Sequence, residues 1–165
     1  MVHKKEWTDF ILSLDYKISK GCNSGVFVRT FPLEPYPGKD VGWNGIEVQI
    51  LDHAFRDNYE KKTGKKGELF FTTNGDVFPT GTAKLTPFPP TSPNGSRSFP
   101  RKNLSKGINQ WNHYYVRAIN GEIRLWVNGE EVNCAMQCTP AQGFLALEAE
   151  GAATLFRNLR IRELP

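Results

Sequence analysis

Apolar positions along this chain recur mainly every second residue. From Phe10 to Lys17 the even positions Phe10, Leu12, Leu14 and Tyr16 are apolar and the odd ones mostly polar. That is the pattern of a strand with one buried face. Gly21, Asn23 and Gly25 bracket a turn, and Val26 to Arg29 reads as a second strand. Ile46 to Ile50 alternates strictly, with Ile46, Val48 and Ile50 on one face. Segments 112–118 and 122–127 read as a hairpin joined at Asn120-Gly121, a pair that accepts positive φ at both central positions. Asn128-Gly129 turns the chain again, and 144–148 and 154–164 supply the last strands. The pattern predicts no convincing amphipathic helix, and at most a short helical turn between His53 and Lys62. Many short strands separated by Gly/Pro-rich turns predict an all-β fold, a sandwich or barrel.

Two connections break the period. Residues 30–45 carry Pro32, Pro35 and Pro37, and residues 72–110 carry six prolines. Loops longer than about 15 residues are uncommon in compact domains unless they serve a function or are disordered. These read either as surface decoration or as walls of a groove.

The strand 46–52 holds the most informative chemistry. With Ile46, Val48 and Ile50 inward, Glu47 and Gln49 point the other way, about 7 Å apart. Asp52 follows at the strand end, Trp43 precedes it, and Arg29 alternates with Val26 and Val28. A carboxylate, an amide, an arginine and a flat ring suit a sugar, whose hydroxyls need polar partners and whose apolar ring face needs a surface to stack on. The plainer alternative is a surface ion pair between Glu47 and Arg29 across neighbouring strands, contributing roughly 0–1 kcal/mol. Glu148 and Glu150 alternate near another strand end and either join the same face or are simply solvated. Trp111 reads as core or rim packing, and His113 as structural.

Composition narrows the classes. The 165 residues suit one domain, 1–165, with a net charge of +4. Much of the excess comes from Lys61, Lys62, Lys65 and Lys66, which read as a solvated loop rather than a nucleic-acid patch. No apolar run approaches the roughly 20 residues of a membrane span. The start MVHKKEWTDF is not a signal peptide, and a mature secreted domain remains compatible with it. Cys22, Cys134 and Cys138 form no zinc-site spacing; a Cys134–Cys138 pair would require an oxidising compartment, and the sequence leaves their state open. There is no nucleophile elbow, P-loop, dinucleotide fingerprint or histidine-rich cluster, so neither a cofactor nor a metal is expected.

Several segments in order resemble one family. They are Asn23 to Arg29, Gly45 to Asp52, Trp111 to Tyr114, Val127 to Gly129, and Phe156 to Ile161. From about Asp9 to Leu164 the chain resembles the 3-keto-disaccharide hydrolase domain family, a bacterial group with a concanavalin A-like jelly roll of two antiparallel sheets. Members usually carry further strands before the one at Phe10, so the chain reads as a trimmed or C-terminal domain of a longer protein. Leu147-Glu148 and Glu150-Gly151 replace the usual Leu-Gln and His-Gly pairs, and residues 63–70 replace a tyrosine-ended Thr-Gly segment.

The resemblance implies a periplasmic or extracellular domain acting on a carbohydrate, a 3-keto-glucoside or related glycan. A ketone at C3 acidifies the proton on C2, a general base removes it, and the C1 oxygen leaves by elimination, with water adding later. On this reading Glu47 is the base and Arg29 the oxyanion partner or substrate clamp. Gln49, Asp52 and Asn23 hold hydroxyls, Trp43 stacks, and Glu148 and Glu150 complete the site. Glu148 is also placed to serve as the second acid of a two-carboxylate glycosidase. The alternative function is a non-catalytic carbohydrate-binding module of a larger secreted protein.

Overall fold

The alternating segments do become strands, and the strands form two antiparallel sheets around one apolar core. The computed structural model describes residues 1–32, 43–66 and 69–165. In chain order its strands are β1 (Val2–Trp7), β2 (Phe10–Ile18), β3 (Asn23–Pro32) and β4 (Trp43–Leu51), followed by helix α1 (Ala54–Thr63). Then come β5 (Val77–Thr80), β6 (Lys84–Pro87), β7 (Asn112–Ile119) and β8 (Glu122–Val127). The last three are β9 (Glu130–Thr139), β10 (Gly143–Leu147) and β11 (Thr154–Glu163). One sheet has the order β1-β10-β3-β4-β5 and the other β11-β2-β7-β8-β9-β6. This is the two-sheet jelly-roll sandwich that the pattern and the resemblance predict.

The core fills the space between the sheets. Phe10, Leu12, Leu14 and Tyr16 of β2 face Val26 and Val28 of β3 and Ile46, Val48 and Ile50 of β4, all within 3% of complete burial. Because the side-chain period is two, this fixes Glu47, Gln49 and Leu51 on the opposite face of β4. The β7–β8 hairpin closes at Asn120 (φ 48°) and Gly121 (φ 75°), the doubly left-handed turn expected of Asn-Gly.

Two features depart from the sequence reading. Residues 54–63 form a ten-residue helix rather than a single turn. Asp52 Oδ1 accepts the Ala54 N–H at the helix start, and Gly64 (φ 69°) closes the end by donating to the Glu60 carbonyl. Phe55 and Tyr59 pack on a small second cluster of Leu51, Leu69 and Phe71. One i,i+4 aromatic pair is the whole apolar face, too little to register as a period. In the 72–110 connection, β5 and β6 add edge strands, and further single bridges join Ser98 to Val77 and Thr91.

Candidate functional site

The outer row of β4 builds the site. Glu47 pairs across to Phe27 of β3 and Phe78 of β5, while Gln49 lies opposite Gly25. Gly25 is a glycine for a geometric reason. A Cβ there would lie 2.4 Å from Glu47 Oε1, so the glutamate side chain lies across β3 over the space Gly25 leaves empty. It leans toward β10, whose continuation enters where the Glu148 N–H donates to the Gly25 carbonyl at 3.0 Å. Glu47 is only 6% exposed; its carboxylate accepts no hydrogen bond from a described residue, and its oxygens keep a narrow contact with solvent. Burial pushes its pKa well above the ordinary carboxylate range, the Glu148 charge pushes it further, and Arg97 opposes both. Burial also raises Glu148, with Glu150 adding to the effect.

A polar rim stands beside this carboxylate. Gln49 Nε2 donates to Asn23 Oδ1 (3.0 Å) and to the Ser24 carbonyl (3.2 Å), and Asn23 Nδ2 donates to Glu150 Oε2 (2.8 Å). Arg97 closes the rim from the other side, with Nη1 3.5 Å from Gln49 Oε1 and 3.6 Å from Asp76 Oδ2. Its guanidinium lies 3.6 Å from the Phe78 ring centroid, which fixes the plane of the fork. Asp76 is fully buried and also holds the Thr72 backbone N–H and hydroxyl. Arg97 is therefore anchored from behind, with one edge toward the groove. A pocket of about 170 Å³ opens here, with Asn23, Gln49 and Arg97 on one side and Leu51, Phe55, Tyr59, Phe70 and Phe71 on the other.

The expected site residues divide into two groups. Asn23, Gln49, Glu47, Glu148 and Glu150 come together, although Glu47 and Gln49 are nearly covered rather than openly exposed. Arg29 does not join them. Its positive φ of 53° falls in a bulge between Val28 and Phe31, and that turn in the backbone swings the side chain away. It is fully buried, with Nε donating to the Thr8 carbonyl at 2.8 Å and Nη2 paired with Asp9 at 3.0 Å. The Glu47–Arg29 surface ion pair is absent for the same reason. Asp52 is committed to structure, accepting the Gly21 N–H at 2.7 Å as well as starting α1. The side chain of Trp43 lies outside the described residues. Cys22, Cys134 and Cys138 are free and buried, so Cys134 and Cys138 are not paired.

The sequence reading missed Arg97 and Asp76, which sit in the aperiodic 72–110 connection where no spacing marks them. Among the described residues no group of acids, histidines or cysteines is arranged to hold a metal ion. No helix among them is long and apolar enough to cross a membrane. A larger cavity of about 290 Å³ between the edge strands β1 and β11 is lined almost wholly by aliphatic side chains and lies apart from these carboxylates.

The glycine beneath Glu47 gives a direct test of this geometry. Gly25 has an ordinary φ, so Gly25→Ala is tolerated by the backbone but displaces the glutamate tip. The expected outcome is a folded protein, with Tm changed by only a few degrees, and loss of the site's function comparable to removing the carboxylate. A variant with wild-type function would show that Glu47 does not need this position.

The fold and this groove define a carbohydrate-related β-sandwich domain. More narrowly, the chain belongs to the 3-keto-alpha-glucoside-1,2-lyase-like domain family, whose model matches residues 1–162. It is similar in fold to a protein of Parabacteroides distasonis ATCC 8503 provisionally described as a glycosyl hydrolase. That match has a TM-score of 0.72 and 21% identity, covering 99% of this chain and 76% of that one. A second structure described in the same way from the same organism matches with a TM-score of 0.63 and 21% identity, over 99% and 82% of the two chains. The carbohydrate-binding module CBM66 of Bacillus subtilis matches with a TM-score of 0.58 and 14% identity, over 98% and 80%. No curated protein matches.

Proposed function

We propose that this groove binds a 3-keto-glycoside and cleaves its glycosidic bond by elimination, with Glu47 as general base. The observation that carries the reading is a carboxylate almost fully buried, without a hydrogen-bond partner among the described residues, and flanked by the arginine Arg97. A structural carboxylate at such depth is normally paired; one that has no protein partner but still reaches solvent is open to a ligand. Its raised pKa makes it a stronger base, nearer the operating pH of a general base.

The chemistry follows from the substrate's ketone. Glu47 takes the C2 proton, and the electron pair passes into the C2–C3 enediolate, whose oxyanion lies within the field of Arg97. The pair then forms the C1–C2 double bond as the C1–O bond breaks, releasing the leaving group. Addition of water across C1–C2, with the proton returned from Glu47 to C2, completes a net hydrolysis. In this proposal the role first given to Arg29 passes to Arg97. Gln49, Asn23 and Glu150, already hydrogen-bonded to one another, hold sugar hydroxyls in a preorganised rim. The family's chemistry suits a periplasmic or extracellular setting.

The rim's internal hydrogen bonds also favour a second reading, a binding module that holds a glycan without turning it over. The experiment that separates the two is incubation of the purified chain with 3-keto-glucosides, with products followed by mass spectrometry and binding by calorimetry. The enzyme reading expects an unsaturated 3-keto sugar or its hydrate together with the released alcohol. Binding without product leaves the module, and neither binding nor product removes the sugar site.

A further inference from the structure

Along the outer face of β4 the row runs Glu47, Gln49, Leu51, one side chain about every 7 Å. Its chemistry changes from carboxylate to amide to hydrocarbon. Leu51 is 3% exposed and lies beneath α1, where Phe55, Tyr59 and Phe71 meet it. The rings pack edge to face, Tyr59–Phe71 at 5.3 Å and 89° and Phe55–Phe71 at 6.1 Å and 75°. Phe70 stands differently. It is 43% exposed, its ring 5.1 Å from Phe71 and 5.1 Å from the Arg97 guanidinium, at the mouth of the same pocket. The groove therefore has a polar end at Asn23 and Gln49, one step along the row from Glu47, and an aromatic end about 7 Å further on at Leu51, with Arg97 beside both.

We infer that the aromatic end receives the leaving group, and that the preferred substrates are 3-keto-glycosides of phenols rather than of sugars. This rests on the proposed function and narrows its substrate class. A glycosyl leaving group would set most of its hydroxyls against Leu51, Phe55, Phe70 and Phe71, with the Tyr59 hydroxyl the one side-chain hydrogen-bonding group that wall offers among the described residues, and buried unpaired hydroxyls are costly. A planar ring would bury apolar area and meet Phe70 and Phe71 edge-on or offset-stacked. The bond-breaking step agrees with this. Glu47 takes the C2 proton, the C1–C2 double bond forms, and the C1–O electron pair leaves on the aryl oxygen. A phenol has a pKa of about 10, so phenolate departs without a proton donor, and Arg97 lies beside its path. A sugar alkoxide is a far poorer leaving group and needs a proton delivered to it.

The test compares two 3-keto-glucosides of the same anomer, one of phenol and one of glucose, with wild-type protein and with Phe70→Ala and Phe70→Leu. The expected kcat/KM favours the phenyl substrate by roughly tenfold or more, and Phe70→Ala reduces that ratio about fivefold, mainly through KM. Phe70→Leu, which keeps apolar bulk but no ring, falls between them. A ratio of one or below in the wild type, or a ratio unchanged by Phe70→Ala, overturns the inference while leaving the elimination chemistry intact. Turnover of neither substrate instead retires the proposed function. The aromatic end is then judged by calorimetry with phenyl glucoside: weaker binding to Phe70→Ala supports it, and absent or unchanged binding overturns it.

Discussion

Glu47→Gln is expected to abolish turnover of 3-keto-glucosides, by about 10²–10⁴-fold in kcat/KM, while raising the thermal stability of the protein near pH 8. The two effects have one cause. Glutamine matches the shape of glutamic acid but cannot take a proton from carbon, so the base is lost. The same change removes a charge that the fold has buried without a hydrogen bond. The sign can be worked from the raised pKa. Between the ordinary value of 4.5 and the raised folded value, the folded state holds the proton more tightly than the unfolded chain does. Stability therefore falls as pH rises through that window, and the wild type carries the full penalty above it. The amide carries none. The gap in Tm between variant and wild type should open above pH 4.5 and close below it, with each kcal/mol worth about 2–4 °C in a chain of this size. Thermal melts from pH 4 to 9, alongside the product assay, check both halves. Undiminished turnover removes Glu47 from the role, and a Tm gap that does not vary with pH means the carboxylate is not desolvated in the way the structure describes.

The fold was legible wherever one face of a strand is buried and the other is not. β2, β7 and β8 alternate cleanly in burial, β4 alternates in residue type although both its faces are covered, and the two Asn-Gly turns mark the ends of β7–β8 and β8–β9. The strands that escaped notice lack that contrast. β1 is an edge strand exposed over its first four residues. β5 and β6 are four-residue edge strands carrying Pro79 and Pro87, as proline's missing N–H allows only at an edge. β9 has four consecutive buried residues and a register shift against β8, which breaks the period. The site was half legible for a related reason. Alternation places Glu47 and Gln49 on one face once Ile46, Val48 and Ile50 are known to be core. It cannot reveal a bulge, so it put Arg29 on the face from which a single left-handed residue removes it. Nor can it reveal which cation arrives from elsewhere in the chain. Arg97 reaches the groove because Ser92 and Asn94 organise a tight loop, with Ser92 Oγ accepting the N–H groups of Ser96 and Arg97. That loop leaves only turn-forming residues in the sequence, which predict its shape and not its destination.

Arg97 carries the second large effect, and its two functions can be separated. Its side chain is 13% exposed and Asp76 is fully buried, so Arg97→Met leaves a buried carboxylate facing hydrocarbon. Removing one partner of a buried pair costs about 3–5 kcal/mol. The cost should again depend on pH. Burial already raises the Asp76 pKa, and losing the guanidinium raises it further, so the destabilisation is greatest at neutral pH and fades as acid supplies the missing proton. Arg97→Met is therefore expected to lose both stability and turnover, which by itself would not distinguish a catalytic cation from a structural one. The double variant Arg97→Met/Asp76→Asn makes the distinction. Asparagine keeps an acceptor for the Thr72 N–H and carries no charge, so most of the stability should return. Activity should remain about 10²–10³-fold down, as for the loss of one group that stabilises an oxyanion. Arg97→Lys should hold the charge near Asp76 but not the stacking on Phe78 or the fork toward Gln49, and should fall between wild type and Met in both readouts. If the double variant regains activity together with stability, Arg97 serves only to neutralise Asp76, and the oxyanion must be held by another group in the groove.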